Sequence, residues 1–90
     1  KKNNLVTKKI ILSGTDDEGL VYSITNYLSK KKINIQNLNT EIVQAPITGT
    51  DLFKMEAIVD IPLNISIDLL ISDINNLQDK LGVDIELVNI

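Results

Sequence analysis

The sequence predicts an α+β fold in which two helices cover one face of a four-stranded antiparallel sheet. Hydrophobic periodicity divides the 90 residues into segments in the order strand, helix, strand, strand, helix, strand. Each half of the chain therefore contains a strand–helix–strand crossover, and right-handed crossovers place both helices on the same face. This arrangement puts the first and third strands in the centre of the sheet and the second and fourth at its edges.

The first strand and the first helix are predicted from a change in the spacing of apolar residues. A strand is predicted over Leu5–Ser13, and its continuous apolar run at Ile10–Leu12 is typical of a central strand. A helix is predicted from Gly19 to about Lys31. Its apolar side consists of Leu20, Val21, Ile24, Tyr27 and Leu28. The three lysines at positions 30–32 complement the helix dipole, and we expect them to form a solvated helix end.

The second strand is predicted over Ile33–Val43 and is unusually polar. Its alternation changes phase near Gln36–Asn37, which indicates a β-bulge. It also carries three asparagines, a residue type that is depleted in strands. They are Asn34, Asn37 and Asn39. A polar, bulged strand is typical of a sheet edge that can pair with another chain.

The second half of the chain repeats the pattern after a turn at 45–50. The third strand, Leu52–Ile61, points one set of apolar side chains to the same face and is followed by Pro62. That set consists of Phe53, Met55, Ala57, Val59 and Ile61. The second helix, capped by Asn64 or Ser66, is predicted to reach about Leu81 and to end at Gly82. The last strand contains Val83, Ile85 and Leu87.

Together these elements predict the ferredoxin-like βαββαβ plait, with the two helices on one face of the sheet. The chain is predicted to be a single domain over residues 1–90, with a flexible polar tail at residues 1–4.

The composition excludes several classes of function. The chain contains no cysteine and no histidine, and all nine of its basic residues are lysine. A thiolate nucleophile, an imidazole base and bidentate guanidinium binding of phosphate are therefore absent. We expect no catalysis, no metal site and no cofactor. The net charge of −3 disfavours direct nucleic-acid binding, and no apolar run approaches the roughly 20 residues that cross a bilayer. The lack of cysteine is compatible with a cytoplasmic location.

The turn between the first strand and the first helix is the strongest candidate for a binding site. Thr15 and Glu18 fit a capping box, and Asp16 or Asp17 fits the N-cap position equally well. The free amides at a helix N-terminus also suit a small anion or a carboxylate. The turn therefore predicts either a capped helix start alone or a capped helix start that binds a ligand.

The residues around this turn resemble the signature of the ACT domain. The matching stretch is Gly14 to Val21, followed by Leu28 and by the pair Asn34-Ile35 at the family's spacing from Gly19. The later stretches at 45–55 and 81–85 resemble the ACT domains of glycine-cleavage-system repressor proteins. Asp17 and Glu18 differ from the Arg and Pro that the family often has at these positions.

The resemblance implies a regulatory domain that binds a small amino acid, such as glycine or serine, between two copies paired along the second strand. The pair would be a homodimer or a tandem of two such domains. The alternative is an interaction domain that pairs or docks on a partner without a ligand. The candidate ligand-binding residues are Gly14, Asp16, Asp17, Glu18, Gly19, Leu20, Asn34 and Ile35. In this scheme the turn binds the carboxylate of the ligand, Asp16 accepts from its ammonium, and Asn34 holds either end.

Overall fold

The computed structural model describes residues 5–15 and 19–90. The elements follow the predicted order, and the observed ends of the strands lie within two residues of the predicted ones. They are β1 (Leu5–Thr15), α1 (Gly19–Lys30), β2 (Asn34–Gln44), β3 (Asp51–Pro62), α2 (Ile67–Leu81) and β4 (Asp84–Asn89). The predicted tail at residues 1–4 and the predicted capping residues at 16–18 lie outside the described residues.

The sheet has the strand order β2-β3-β1-β4, and all of its neighbouring strands are antiparallel. The predicted fold class is confirmed, because β1 and β3 are central and β2 and β4 are the edges. The predicted bulge is confirmed as well. The register of β2 against β3 shifts between Ile35 and Asn37, so Gln36 is the extra residue.

The core lies between the helices and the inner face of the sheet. On β3 alternate side chains point inward, and Met55, Ala57, Val59 and Ile61 are fully buried. The helices contribute Leu20, Ile24, Leu28, Leu70 and Ile74 to the same cluster. The other side chains of the central strands therefore lie on the outer face, opposite the helices.

Both ends of α2 are explained by single residues. Ser66, and not the alternative Asn64, caps the N-terminus, because its Oγ accepts from the Leu69 amide at 3.3 Å. Gly82 ends the helix in the left-handed conformation with φ of 69°. This conformation is typical of a glycine that follows a helix.

The β2 edge carries apolar surface that the chain itself does not cover. Ile42 lies opposite the buried Phe53 on β3 and therefore points to the helix side of the sheet, but it is 51% exposed. At the turn that follows β2, Ile47 is also exposed.

No helix in the described part of the chain is long and apolar enough to cross a membrane.

Candidate ligand-binding site

The candidate residues of the first half lie at the end of β1, which we call the Gly14 end of the sheet. Gly14 packs against Val83, the residue before β4, and a Cβ added to Gly14 would lie 2.5 Å from Val83 Cγ1. The space beside Gly14 is therefore filled by the chain's own Val83, and only its backbone remains for a ligand. Gly19 is the first residue of α1, and Leu20 is 2% exposed in the core. Asp16, Asp17 and Glu18 lie outside the described residues.

A groove of about 500 Å³ opens beside Gly14 on the side of α2. The charged side chains that line it are Asp79 and Asp84, and no lysine lines it. The negative charges of these two side chains would repel the carboxylate of a ligand in the groove. The carboxylate of a ligand near Gly14 would therefore have to bind on the other side of Gly14, towards the N-terminus of α1.

The candidate residues of the second strand lie at the opposite, Asn34 end of the sheet. Asn34 and Ile35 begin β2, directly across from Asp60 and Val59 of β3. The side chain of Ile35 packs against the core, whereas Asn34 is exposed on the outer face. The Nδ2 amide of Asn34 donates to Asp60 Oδ2 at 3.3 Å.

Asp60 is the centre of a polar cluster, which we call the Asp60 cluster and which consists of Thr7, Asn34, Gln36 and Asp60. Thr7 Oγ1 donates to Asp60 Oδ1 at 2.9 Å, and Gln36 Nε2 donates to the same oxygen at 2.7 Å. Residue Asp60 is only 8% exposed although it faces outward. The hydrogen bond from Thr7 lowers the pKa of Asp60 most, burial opposes it, and the bonds from Gln36 and Asn34 lower the pKa further. Hydrogen bonds to a carboxylate stabilise its charged form.

The alternation of β3 puts Asp60 on the face opposite the inward apolar residues, but sequence reasoning missed this cluster. A local signal was present, because an acidic residue, Asp60, lies between the apolar residues Val59 and Ile61 in a central strand. The bulge at Gln36 was a second signal, since the extra residue of a bulge can be turned toward a partner. In the structure, Gln36 Nε2 donates a hydrogen bond to Asp60 Oδ1, so both signals belong to the same cluster.

The two halves of the candidate site are far apart within one chain. Gly14 lies opposite Phe53, and Asn34 lies opposite Asp60, on the same strand β3. Phe53 and Asp60 are seven residue steps apart along β3, a distance of about 23 Å. One small amino acid cannot contact both ends in a single copy. The described residues also include no group of three or more acidic side chains placed to hold a metal ion.

Comparisons with known proteins give structural likeness without a sequence-family assignment. No family model matches the chain. No curated protein matches it either. Among solved structures, an unknown protein from Galdieria sulphuraria is 30% identical and superposes with a TM-score of 0.85 over 100% of this chain. This chain spans 52% of the length of the Galdieria protein.

Two further solved structures carry functional names. An ACT domain protein from Streptococcus pneumoniae matches 94% of this chain and 89% of its own, with 19% identity and a TM-score of 0.77. A formyltetrahydrofolate deformylase from Pseudomonas putida matches 93% of this chain and 29% of its own, with 14% identity and a TM-score of 0.77. The shared feature is the fold. At these identities the likeness establishes the βαββαβ architecture of the chain, and its function must be argued from its residues.

Proposed function

We propose that this chain is an ACT domain that binds a small amino acid between two copies paired along β2. The observation that carries the proposal is the position of the candidate residues at opposite ends of one sheet, beside an uncovered polar edge strand. The likeness to the Streptococcus pneumoniae ACT domain protein supports it, because the fold is shared over 94% of this chain.

Pairing of two copies by two-fold symmetry would bring the two halves of the site together. β2 runs from the Asn34 end of the sheet to the Gly14 end. When two identical edge strands pair antiparallel around a two-fold axis, the start of each lies beside the end of the other. Asn34 of one copy then approaches the Gly14 end of its partner, where α1 begins. Each pair would contain two equivalent sites.

The ligand would regulate by stabilising one arrangement of the pair. A molecule that contacts both copies binds the paired arrangement more tightly than the separated one, so it shifts the equilibrium between them. The partner copy is a second chain or a second domain of a longer protein. The resemblance of residues 45–55 and 81–85 to glycine-cleavage repressors favours glycine or serine as the ligand and a non-catalytic, regulatory role.

A second candidate function is an interaction domain that pairs without a ligand. The exposure of Ile42 on the β2 edge favours it, because a paired copy would cover this side chain whether or not a ligand is present. Both candidates predict pairing, and only the first predicts that an amino acid changes it.

Isothermal titration calorimetry with a panel of amino acids, glycine and L-serine first, tests the proposal. We expect saturable heat for at least one of them and a higher melting temperature in its presence, since a ligand that binds the native state stabilises it. Sedimentation in the presence and absence of the same amino acid measures its effect on pairing. Absence of heat and of a thermal shift with the whole panel would favour the ligand-free interaction domain.

A further inference from the structure

The Asp60 cluster contains a shielded negative charge that no lysine among the described residues neutralises. Its three donors are a hydroxyl and two amides, all of them uncharged. The ion pairs found among the described residues join Lys9 to Glu56 and Lys31 to Asp73, and neither includes Asp60. A shielded carboxylate is usually paired with a cation. The arrangement therefore favours the approach of a positively charged group.

The hydrogen bonds of the cluster leave acceptors for such a group. Asp60 Oδ1 accepts two bonds, whereas Oδ2 accepts one, from Asn34. A carboxylate oxygen can accept a further bond. The bond from Asn34 also fixes its amide group, because Nδ2 points at Asp60 and Oδ1 must point away from it. No side chain or amide in the described residues donates to Asn34 Oδ1.

We propose that Asp60 and Asn34 form the ammonium-binding end of the amino-acid site, with Asp60 setting the direction in which the ligand lies. This inference rests on the proposed function. It assigns Asn34 to the ammonium end of the ligand rather than to the carboxylate end. The charge of Asp60 repels a carboxylate and attracts an ammonium, and the fixed Asn34 amide presents an acceptor beside it. The carboxylate of the ligand then faces the partner copy. The class of ligand is a zwitterion with a free primary ammonium.

Gln36 and Thr7 have a positioning role in this scheme. Both bind Oδ1, so they hold the carboxylate in one orientation and leave Oδ2 for Asn34 and the ligand. The bulge in β2 makes this possible, because Gln36 is the residue that has no partner in the β3 register. The irregularity of the edge strand would thus serve the site.

Binding of matched ligand pairs to matched variants tests the inference. The full chain is titrated with glycine and L-serine, and with acetate and 3-hydroxypropionate, which lack the ammonium. The variants are Asp60→Asn and, as a control, Glu56→Gln, which removes a charge from the same face of β3 beside Lys9. We expect Asp60→Asn to weaken the binding of the amino acids by about tenfold or more and not to weaken the binding of the two carboxylates. We expect Glu56→Gln to change none of the affinities by more than about twofold.

The side-chain amide of Asn34 supplies a readout that does not need the ligand. In ¹⁵N-edited NMR spectra, we expect its resonances to shift in Asp60→Asn and to stay in place in Glu56→Gln. If Asp60→Asn lacks a cooperative thermal transition, Asn34→Ala replaces it, because Asn34 is exposed. That variant should lose discrimination between the amino acids and the carboxylates.

The outcomes separate this inference from the function on which it rests. Saturable binding of an amino acid with equal affinity in the wild type and in Asp60→Asn would overturn the inference and leave the proposed function in place. Equal weakening in Asp60→Asn and Glu56→Gln would also overturn it, because a general charge effect would then account for both. Lack of binding by the wild-type chain to every amino acid would overturn the proposed function itself.

Discussion

At the scale of single residues, the hydrogen bonds to Asp60 are expected to make stability depend on acid pH. The pKa of Asp60 is lowered from 3.8 in the folded chain. The unfolded chain therefore binds more protons than the folded chain between the two pKa values, and the free energy of unfolding rises with pH there. The contribution of Asp60 is present above the unfolded pKa and is lost as the pH falls through the folded pKa.

This pH dependence is checked by comparison with Asp60→Asn, which does not titrate. Urea unfolding of both proteins is measured at several pH values between about 2 and 7. We expect the wild type to be the more stable protein by a constant amount above about pH 5 and the difference to shrink below about pH 4. A difference that stays constant down to pH 2 would contradict the assignment.

The close approach of Gly14 to Val83 gives a second prediction at this scale. In Gly14→Ala the added methyl group would overlap Val83 Cγ1, so Val83, which precedes β4, must move away from β1. We expect a loss of about 1–3 kcal/mol in the free energy of unfolding, the usual cost of overpacking. Urea unfolding measures it.

Val83→Ala is the control for this contact. It removes the methyl group that the new Cβ would strike, at the expense of its own packing. The double variant should therefore be less destabilised than the sum of the two single variants. Strict additivity would show that the two side chains do not compete for the same space.

At the scale of elements, α2 offers two serines for comparison, one at its N-cap and one within the helix. Ser66 Oγ accepts from the Leu69 amide, whereas Ser72 is exposed within the same helix. We expect Ser66→Ala to lower the free energy of unfolding by about 1 kcal/mol, because an amide loses its acceptor. Ser72→Ala should raise it by a few tenths of a kcal/mol, since alanine has the higher helix propensity. Thermal and urea unfolding check both signs, and destabilisation of equal size by both would refute the capping role.

The elements were the part of the molecule that the sequence predicted well. Alternation in β3 and helical spacing in α1 are set by which side chains face the core, and that burial is strong enough to leave a periodic pattern. The bulge at Gln36 was visible for the same reason, because the inward residues Ile35 and Leu38 change phase across it.

The site was predicted less completely because its contacts join residues far apart in the chain. Thr7 and Asp60 are separated by 53 residues, and no periodicity records their hydrogen bond. Val83 fills the space beside Gly14 from the opposite end of the chain, so a glycine that resembles part of a ligand-binding turn also has a packing role. Side-chain hydrogen bonds of this kind depend on the register, which the pattern of apolar residues fixes only indirectly.

At the scale of the whole molecule, the two edges of the sheet differ in what they offer to a partner. β4 is short, with six residues, whereas β2 has 11 residues and carries the exposed Ile42 on the helix side. Long, uncovered edge strands are the usual place for pairing between chains. The proposed pairing along β2 would bury Ile42 against the β2 strand of the partner.

Ile42→Lys tests this difference between the edges. A lysine from each copy would place like charges within the proposed interface and remove apolar surface from it, so we expect the paired form to dissociate. Ile71→Lys is the matched control, because Ile71 is also a partly exposed isoleucine, at 43%, but lies on α2 away from β2. Sedimentation velocity at several concentrations measures pairing, and thermal unfolding at low concentration checks that both variants remain folded. Dissociation by Ile71→Lys alone would show that the interface lies on the helical face. The candidate residues of two copies would not meet across such an interface. That result would therefore count against both the shared site and the pairing along β2.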